Sequence, residues 1–243
     1  MFNKEAIELI MQGYAPEVKE INGAKYTTKQ LFRIEEPVAA KMQVKSLRAI
    51  IDFIESGIDD LGDVYIHIMD PRSVYVTSAL NKDQKRTCFL HAQADPCNFR
   101  FGQFVDAETF IIGLQAQFTD GMVNDRTDKG TLLQYIGTMT EVHESKMADD
   151  GVSQTATVKT GIAAKGEKVA PNPVNLSPYR TFIEVEQPIS SFVLRLKEGG
   201  YAALFEADGG AWEREAVGNI REYLEKELEP GDACRPFRVT ILA

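Results

Sequence analysis

Any chemistry in this chain would have to come from a stretch rich in charge between residues 180 and 208. Glu184, Glu186, Gln187, Arg195, Glu206 and Asp208 are its densest polar cluster. Read as strands, residues 181–186, 192–196 and 201–206 place Glu184 and Glu186 on one face, because side chains repeat every two residues. Pairing of these strands would set Arg195 and Glu206 across from them. Two chemistries follow. Carboxylates converging from Glu184, Glu186, Glu206 and Asp208 would hold Mg²⁺ or Mn²⁺ for phosphoester hydrolysis, since hard cations take oxygen ligands. Arg180 and Arg195, with Tyr179 nearby, would grip a phosphate or carboxylate through the planar guanidinium fork. The plainer alternative is a half-exposed sheet face whose arginines satisfy Glu184, Glu186 or Glu206 internally. No metal-binding spacing accompanies the carboxylates, so the internal role is preferred. Arg180, Glu184, Glu186, Arg195, Glu206 and Asp208 stand as a ligand-binding set; no catalytic residue, metal or cofactor is assigned.

Other reactive templates fail on spacing. His67, His91 and His143 are the only histidines; His67 and His91 fall on strands separated by a third, without zinc-like partners. Val142-His143-Glu144 is a weak acid/base candidate. Ser153, Ser190 and Ser191 lack a Gly-x-Ser-x-Gly elbow, and no phosphate-binding glycine loop occurs. Asp208-Gly209-Gly210-Ala211 reads as a turn and helix cap in preference to an anion nest. Lys82, Lys85 and Arg86 make a small basic loop, and Phe99-Arg100-Phe101 interleaves rings with charge. Phe99, Phe101 and Phe104 are more economically core residues.

The elements that must position these groups alternate between helical and strand-like spacing. Asn3 caps a short amphipathic helix carrying Ala6, Ile7, Ile10 and Met11. Asn22-Gly23 joins two short runs as a hairpin. Leu47, Ile50, Ile51 and Ile54 share a helix face closed by Gly57. Residues 64–69, 74–77 and 87–92 form an antiparallel meander. Asp106 caps a helix bearing Phe110, Ile111, Leu114 and Phe118, and a second helix runs from about 129 to 139. Strand returns within 152–158, 161–168 is a flexible connection, and the prolines at 171 and 173 bar 169–174 from a central strand. Gly199-Gly200 makes a tight hairpin. Residues 211–228 form the clearest helix, with Trp212, Ala216, Ile220, Tyr223 and Leu224 inward, Pro230-Gly231 ending it and 237–242 a closing strand. The expected fold is α+β, with largely antiparallel sheets and several packed helices. Residues 1–60 form an N-terminal segment packed on a main domain of 61–243, or 1–243 is one continuous domain.

The net charge of −9 opposes non-specific attraction to nucleic acid and anionic lipid, while leaving room for a local basic patch. No apolar run reaches the roughly 18 residues that span a bilayer, and charges at Lys4, Glu5 and Glu8 interrupt any leader. Cys88, Cys97 and Cys234 are three, widely spaced, and fit reduced thiols in a cytoplasm.

The segments Asp149-Asp150-Gly151-Val152-Ser153-Gln154, Pro178-Tyr179-Arg180-Thr181-Phe182-Ile183-Glu184-Val185-Glu186-Gln187-Pro188, Phe192-Val193-Leu194-Arg195 and Leu204-Phe205-Glu206-Ala207-Asp208-Gly209-Gly210-Ala211-Trp212 resemble an uncharacterised group of phage and prophage proteins. More loosely, they are similar to a domain-of-unknown-function family of early-region prophage gene clusters. The resemblance implies a viral origin and an intracellular, non-virion accessory role, and it transfers no catalytic residues. The expected function is a non-catalytic binding or self-assembling protein, homo-oligomeric, in DNA metabolism or in countering host defence. Its partner would be a host or phage macromolecule or a small ligand. The alternatives are a metal-dependent phosphoesterase built on the carboxylate cluster and a virion or assembly component.

Overall fold

The computed structural model describes residues 3–14, 16–21, 24–27, 38–82, 84–95, 97–120, 128–140, 145–149, 154–160, 164–229 and 236–243. Two units emerge, 1–39 and 40–243. In the first, α1 (Lys4–Gly13) starts at Asn3, whose Oδ1 accepts the Ala6 N–H at 2.9 Å. This satisfies one of the donors that a helix start leaves free. β1 (Val18–Ile21) and β2 (Ala24–Thr27) pair antiparallel, Ile21 opposite Ala24; Asn22 and Gly23 lie outside the described residues. No described residue of this unit is buried, and Ile10, Met11, Val18 and Tyr26 are all exposed.

The second unit opens with β3 (Met42–Val44) and α2 (Arg48–Glu55), so the boundary falls before these elements and not near residue 60. Burial explains the shift. Leu47, Ile50, Ile51 and Ile54 belong to the same core as β4 (Val64–Asp70), β5 (Ser73–Ser78) and β6 (Cys88–Gln93). These three strands form the expected antiparallel meander. Next come β7 (Val105–Asp106), α3 (Ala107–Gln117), β8 (Phe118–Thr119) and α4 (Lys129–Thr140). Asp106 caps α3, its Oδ1 taking the Thr109 N–H at 2.9 Å. β9 (Ser145–Asp149), β10 (Gln154–Thr160) and β11 (Ala164–Val169) make a three-stranded antiparallel sheet. The chain closes with β12 (Val174–Pro178), β13 (Ser190–Lys197), β14 (Tyr201–Glu206), α5 (Ala211–Glu227) and β15 (Val239–Leu242).

Two five-stranded sheets organise this unit. Sheet 1 runs β15-β4-β5-β6-β3, and both edge strands pair parallel to their neighbours. α2 and α5 supply Ile50, Ile54, Ile220 and Leu224 to its covered face. Sheet 2 runs β7-β14-β13-β12-β8 and is antiparallel throughout. Phe110 and Leu114 of α3 and Leu132 and Ile136 of α4 pack with Phe192, Leu194 and Leu204. Each such side chain stabilises by about 1.5–3 kcal/mol on burial. Phe99 and Phe101 pack against this second core, Phe99 edge-on to Phe110 and Phe118. Helices on mostly antiparallel sheets make the fold α+β.

Three local expectations are corrected. Residues 181–186 are not a strand but part of the loop joining β12 to β13. The span 161–168 is not simply a connection, since β11 begins at Ala164. β9 lies before the point at which strand pattern returns in the sequence. The proline-bearing approach to β12 does stay out of the ladder, and a side chain stands in for it. Asn172 Nδ2 donates to the Leu194 carbonyl at 3.0 Å, and its Oδ1 accepts the Leu194 N–H at 2.8 Å. That carboxamide reproduces a backbone pair next to Pro173, which has no N–H to give.

Candidate functional site

Of the six sequence-predicted site residues, Arg180, Glu184 and Glu186 lie in the loop 179–189, Arg195 in β13, Glu206 in β14 and Asp208 just before α5, and the loop is organised by one side chain. Gln187 is buried, and its Oε1 accepts the N–H groups of Arg180 at 3.0 Å and Thr181 at 3.3 Å. Its Nε2 donates to the carbonyls of Phe182 at 2.8 Å and Val185 at 3.2 Å. A carboxamide carries two acceptor sites and two donors, so all four are used to turn the backbone in place of a strand ladder. Ser177 Oγ donates to the Gln187 carbonyl at 2.6 Å, and Thr181 Oγ1 donates to the Pro71 carbonyl across the unit. The loop leaves and re-enters sheet 2, yet Phe182 and Val185 are members of the sheet 1 core.

Arg180 sits at that junction. Its side chain is 6% exposed and pairs with the Glu206 carboxylate at 3.2 Å. Three rings surround the guanidinium, with its carbon 5.1 Å from the Phe101 centroid, 5.0 Å from Phe192 and 4.7 Å from Trp212. None of its three nitrogens has a hydrogen-bond partner in the structure, and Asp208 Oδ2 is likewise enclosed without one. Burial pushes the Arg180 pKa down, against the pull of Glu206 and then Asp208. The cation is therefore held by ring faces and a carboxylate, not by a fork of hydrogen bonds.

The remaining members separate. Glu184 Oε1 accepts the Leu47 N–H at 2.8 Å and the Arg48 N–H at 3.4 Å, so it serves as the distant cap of α2, whose own N-cap residue, Leu47, offers no side-chain acceptor. Glu186 is exposed, and only its carbonyl is engaged, by Asn219 Nδ2 at 2.8 Å. Arg195 lies opposite Ala203 in the β13–β14 ladder, while Glu206 lies opposite Phe192. The expected placement of Arg195 and Glu206 across from Glu184 and Glu186 fails because 181–186 is not a strand, and Glu206 pairs with Arg180 instead. Asp208 Oδ1 accepts the Gly210 N–H at 3.2 Å at the start of α5, where Gly209 and Gly210 both have positive φ. Among the described residues no group of three His, Cys, Asp or Glu is placed to hold a metal ion.

Nucleophiles are equally constrained. Burial raises the Cys97 thiol pKa, the opposite of what thiolate chemistry needs. Ser190 is buried with no hydrogen-bond partner for Oγ, so no base activates it. His143 and Ser153 lie outside the described residues, as do Cys234 and Pro230-Gly231. No helix of the described residues is long and apolar enough to cross a membrane.

No family model, no curated protein and no solved structure matches the chain.

Sheet 1 presents a second, unforeseen constellation on the face away from α2 and α5. Ladder register aligns Leu242, His67, Tyr75, His91 and Gln43 in one row across all five strands. Tyr75 and His91 stack with centroids 4.2 Å apart and planes 5° from parallel. Arg86 lies 4.4 Å from the Tyr65 ring centroid and Lys41 lies 6.0 Å from that of Tyr75. At one end, Gln43, Lys45, Arg72, Gln93 and Asp95 line a groove of about 460 Å³. The two-residue alternation Tyr65, His67, Met69 and Tyr75, Thr77 is readable in the sequence. No single pair of these residues forms a motif.

Proposed function

We propose that this chain is a non-catalytic accessory protein that works by binding and self-assembly, of the kind encoded by phages and prophages and acting in the host-cell cytoplasm. The observation that carries this reading is the dispersal of its carboxylates. Glu206 is paired to Arg180, Glu184 caps α2, and Asp208 takes a backbone N–H at the start of α5. A hydrolytic centre needs such carboxylates to converge on one cation or one water.

Unit 1 supports the assembly half. Its 39 residues expose the apolar side chains of α1 and of the β1–β2 hairpin, and below about 40 residues a chain rarely builds a sufficient core alone. Burying those side chains against a second copy would supply what the unit lacks. Light scattering on the purified protein is expected to give a mass above the 27.1 kDa of one chain. Incubation with Mg²⁺ or Mn²⁺ and generic phosphoesters is expected to show no turnover. Turnover abolished by Glu186→Gln in a folded protein would overturn the binding reading, and a clean monomer would overturn its assembly half.

A further inference from the structure

We infer that the open face of sheet 1 is a docking surface for single-stranded, thymine-containing DNA. This inference rests on the reading of the chain as a binding protein and names its partner. The first argument is charge. Acidic residues outnumber Lys and Arg by 36 to 27 in the whole chain. The five strands of sheet 1 nevertheless contain one carboxylate, Asp70, which sits at the β4–β5 turn and accepts the Arg72 N–H at 2.7 Å. Among the described residues at the rim, Asp95 pairs with Lys45 at 2.8 Å and Asp63 with Arg238 at 2.9 Å. Around the face stand Lys41, Arg72 and Arg86. Cations are thus segregated onto a surface whose protein background is anionic, an arrangement that attracts phosphate while the rest of the molecule repels it.

The second argument is the rings. Tyr75 and His91 already form a two-ring stack, and a base set beside it continues that stack. Stacking on aromatic faces next to cations is how single strands are held without duplex structure, whose bases turn inward. Adjacent strands lie about 4.8 Å apart, so a row crossing five of them spans about 19 Å, room for several nucleotides. The choice of DNA over RNA comes from Met69 and Leu242, which are 63% and 46% exposed on this sheet. Leu242 stands in the ring row and Met69 on the same strand as His67. Apolar groups there suit the thymine methyl, which uracil lacks.

The test is fluorescence anisotropy with a labelled oligo(dT) 15-mer, the full chain, and salt at 50 and 200 mM. Three phosphate contacts to Lys41, Arg72 and Arg86 give a salt slope near −2, so affinity is expected to fall about twentyfold over that range. Tyr75→Ser is expected to weaken binding about tenfold or more, and Tyr75→Phe to leave it nearly unchanged. Met69→Glu adds a carboxylate at an exposed position without a folding cost, and should also weaken binding about tenfold. Lys226→Glu on α5, the helix that covers the other face of the sheet, should not change it. Absence of binding by the parent protein, indifference to Met69→Glu, or oligo(U) binding as tightly as oligo(dT) would each overturn the inference. Those outcomes leave the non-catalytic reading standing, whereas phosphoester turnover would remove that reading whatever the oligonucleotide does.

Discussion

Replacing Gln187 by Ala is the sharpest probe of how this molecule is held together. The side chain makes four hydrogen bonds, of 3.0, 3.3, 2.8 and 3.2 Å, all within one buried loop. Removing it strands two N–H groups and two carbonyls. Each such group costs about 1–3 kcal/mol if it stays dry, but the longer pair of bonds is weak and the loop will relax toward water. A net loss of about 3–5 kcal/mol follows. For a unit of this size each kcal/mol moves Tm by about 2–4 °C, so a fall of about 10 °C is expected. Urea unfolding followed by tryptophan fluorescence reads the loss through Trp212, which faces Arg180. Hydrogen exchange should show α2 losing protection as well, because the same loop delivers Glu184 to its first turn. Gln187→Glu at neutral pH should be no better than Ala, since a carboxylate oxygen would then face the Phe182 and Val185 carbonyls. A Gln187→Ala protein within about 1 kcal/mol of the parent would refute the reasoning, because the loop would then be held by Phe182 and Val185 alone.

Further outcomes can be checked alongside. Arg180→Met should stay within about 1 kcal/mol of the parent or stabilise, because it relieves a desolvated cation whose one carboxylate partner, Glu206, is half exposed and stays solvated when the pair is lost, while Arg180→Ala should lose about 2 kcal/mol or more to the hole left among the rings; chemical denaturation separates them. Gly113→Ala should destabilise although Ala favours helix by about 1 kcal/mol, because the added methyl would meet the Phe99 ring at 3.0 Å and that ring is wedged against Phe101, Phe110 and Phe118. Glu184→Ala should cost about 1 kcal/mol through the lost α2 cap, with Glu184→Gln recovering much of it. Asp63 and Asp106 have pKa values lowered from the ordinary 3.8 by hydrogen bonds, the first from Arg238 and the second from Thr109. The stability they confer is therefore complete above about pH 4 and lost as pH falls through their folded values. A Tm series from pH 5 to pH 2.5 should show this, and Asp106→Asn should flatten part of it.

The sequence displays local rules well and long-range ones poorly. Asn3 and Asp106 are legible as caps because their partners lie three residues away. The Gly199-Gly200 hairpin and the alternation of β13 are legible for the same reason. Thr181-Phe182-Ile183-Glu184-Val185-Glu186 misleads because its β-branched residues carry strand propensity, which Gln187 and the sheet 1 core override by drawing Phe182 and Val185 inward. Arg180 and Glu206 both stand out in the sequence, but their meeting depends on a loop folding back across a sheet. The row through Tyr75 and His91 needs the register of five strands, two of them parallel edges contributed by β3 and β15 from distant parts of the chain.

The loop that borrows from one sheet to fill the core of the other has a bearing on how this protein can change over generations. A recombination event that exchanged sheet 2 for a foreign equivalent would arrive without a Phe182, or with one whose receiving socket is missing. The two halves are thus bound to be inherited together, and variation is free to accumulate only on faces that this shared plug does not reach.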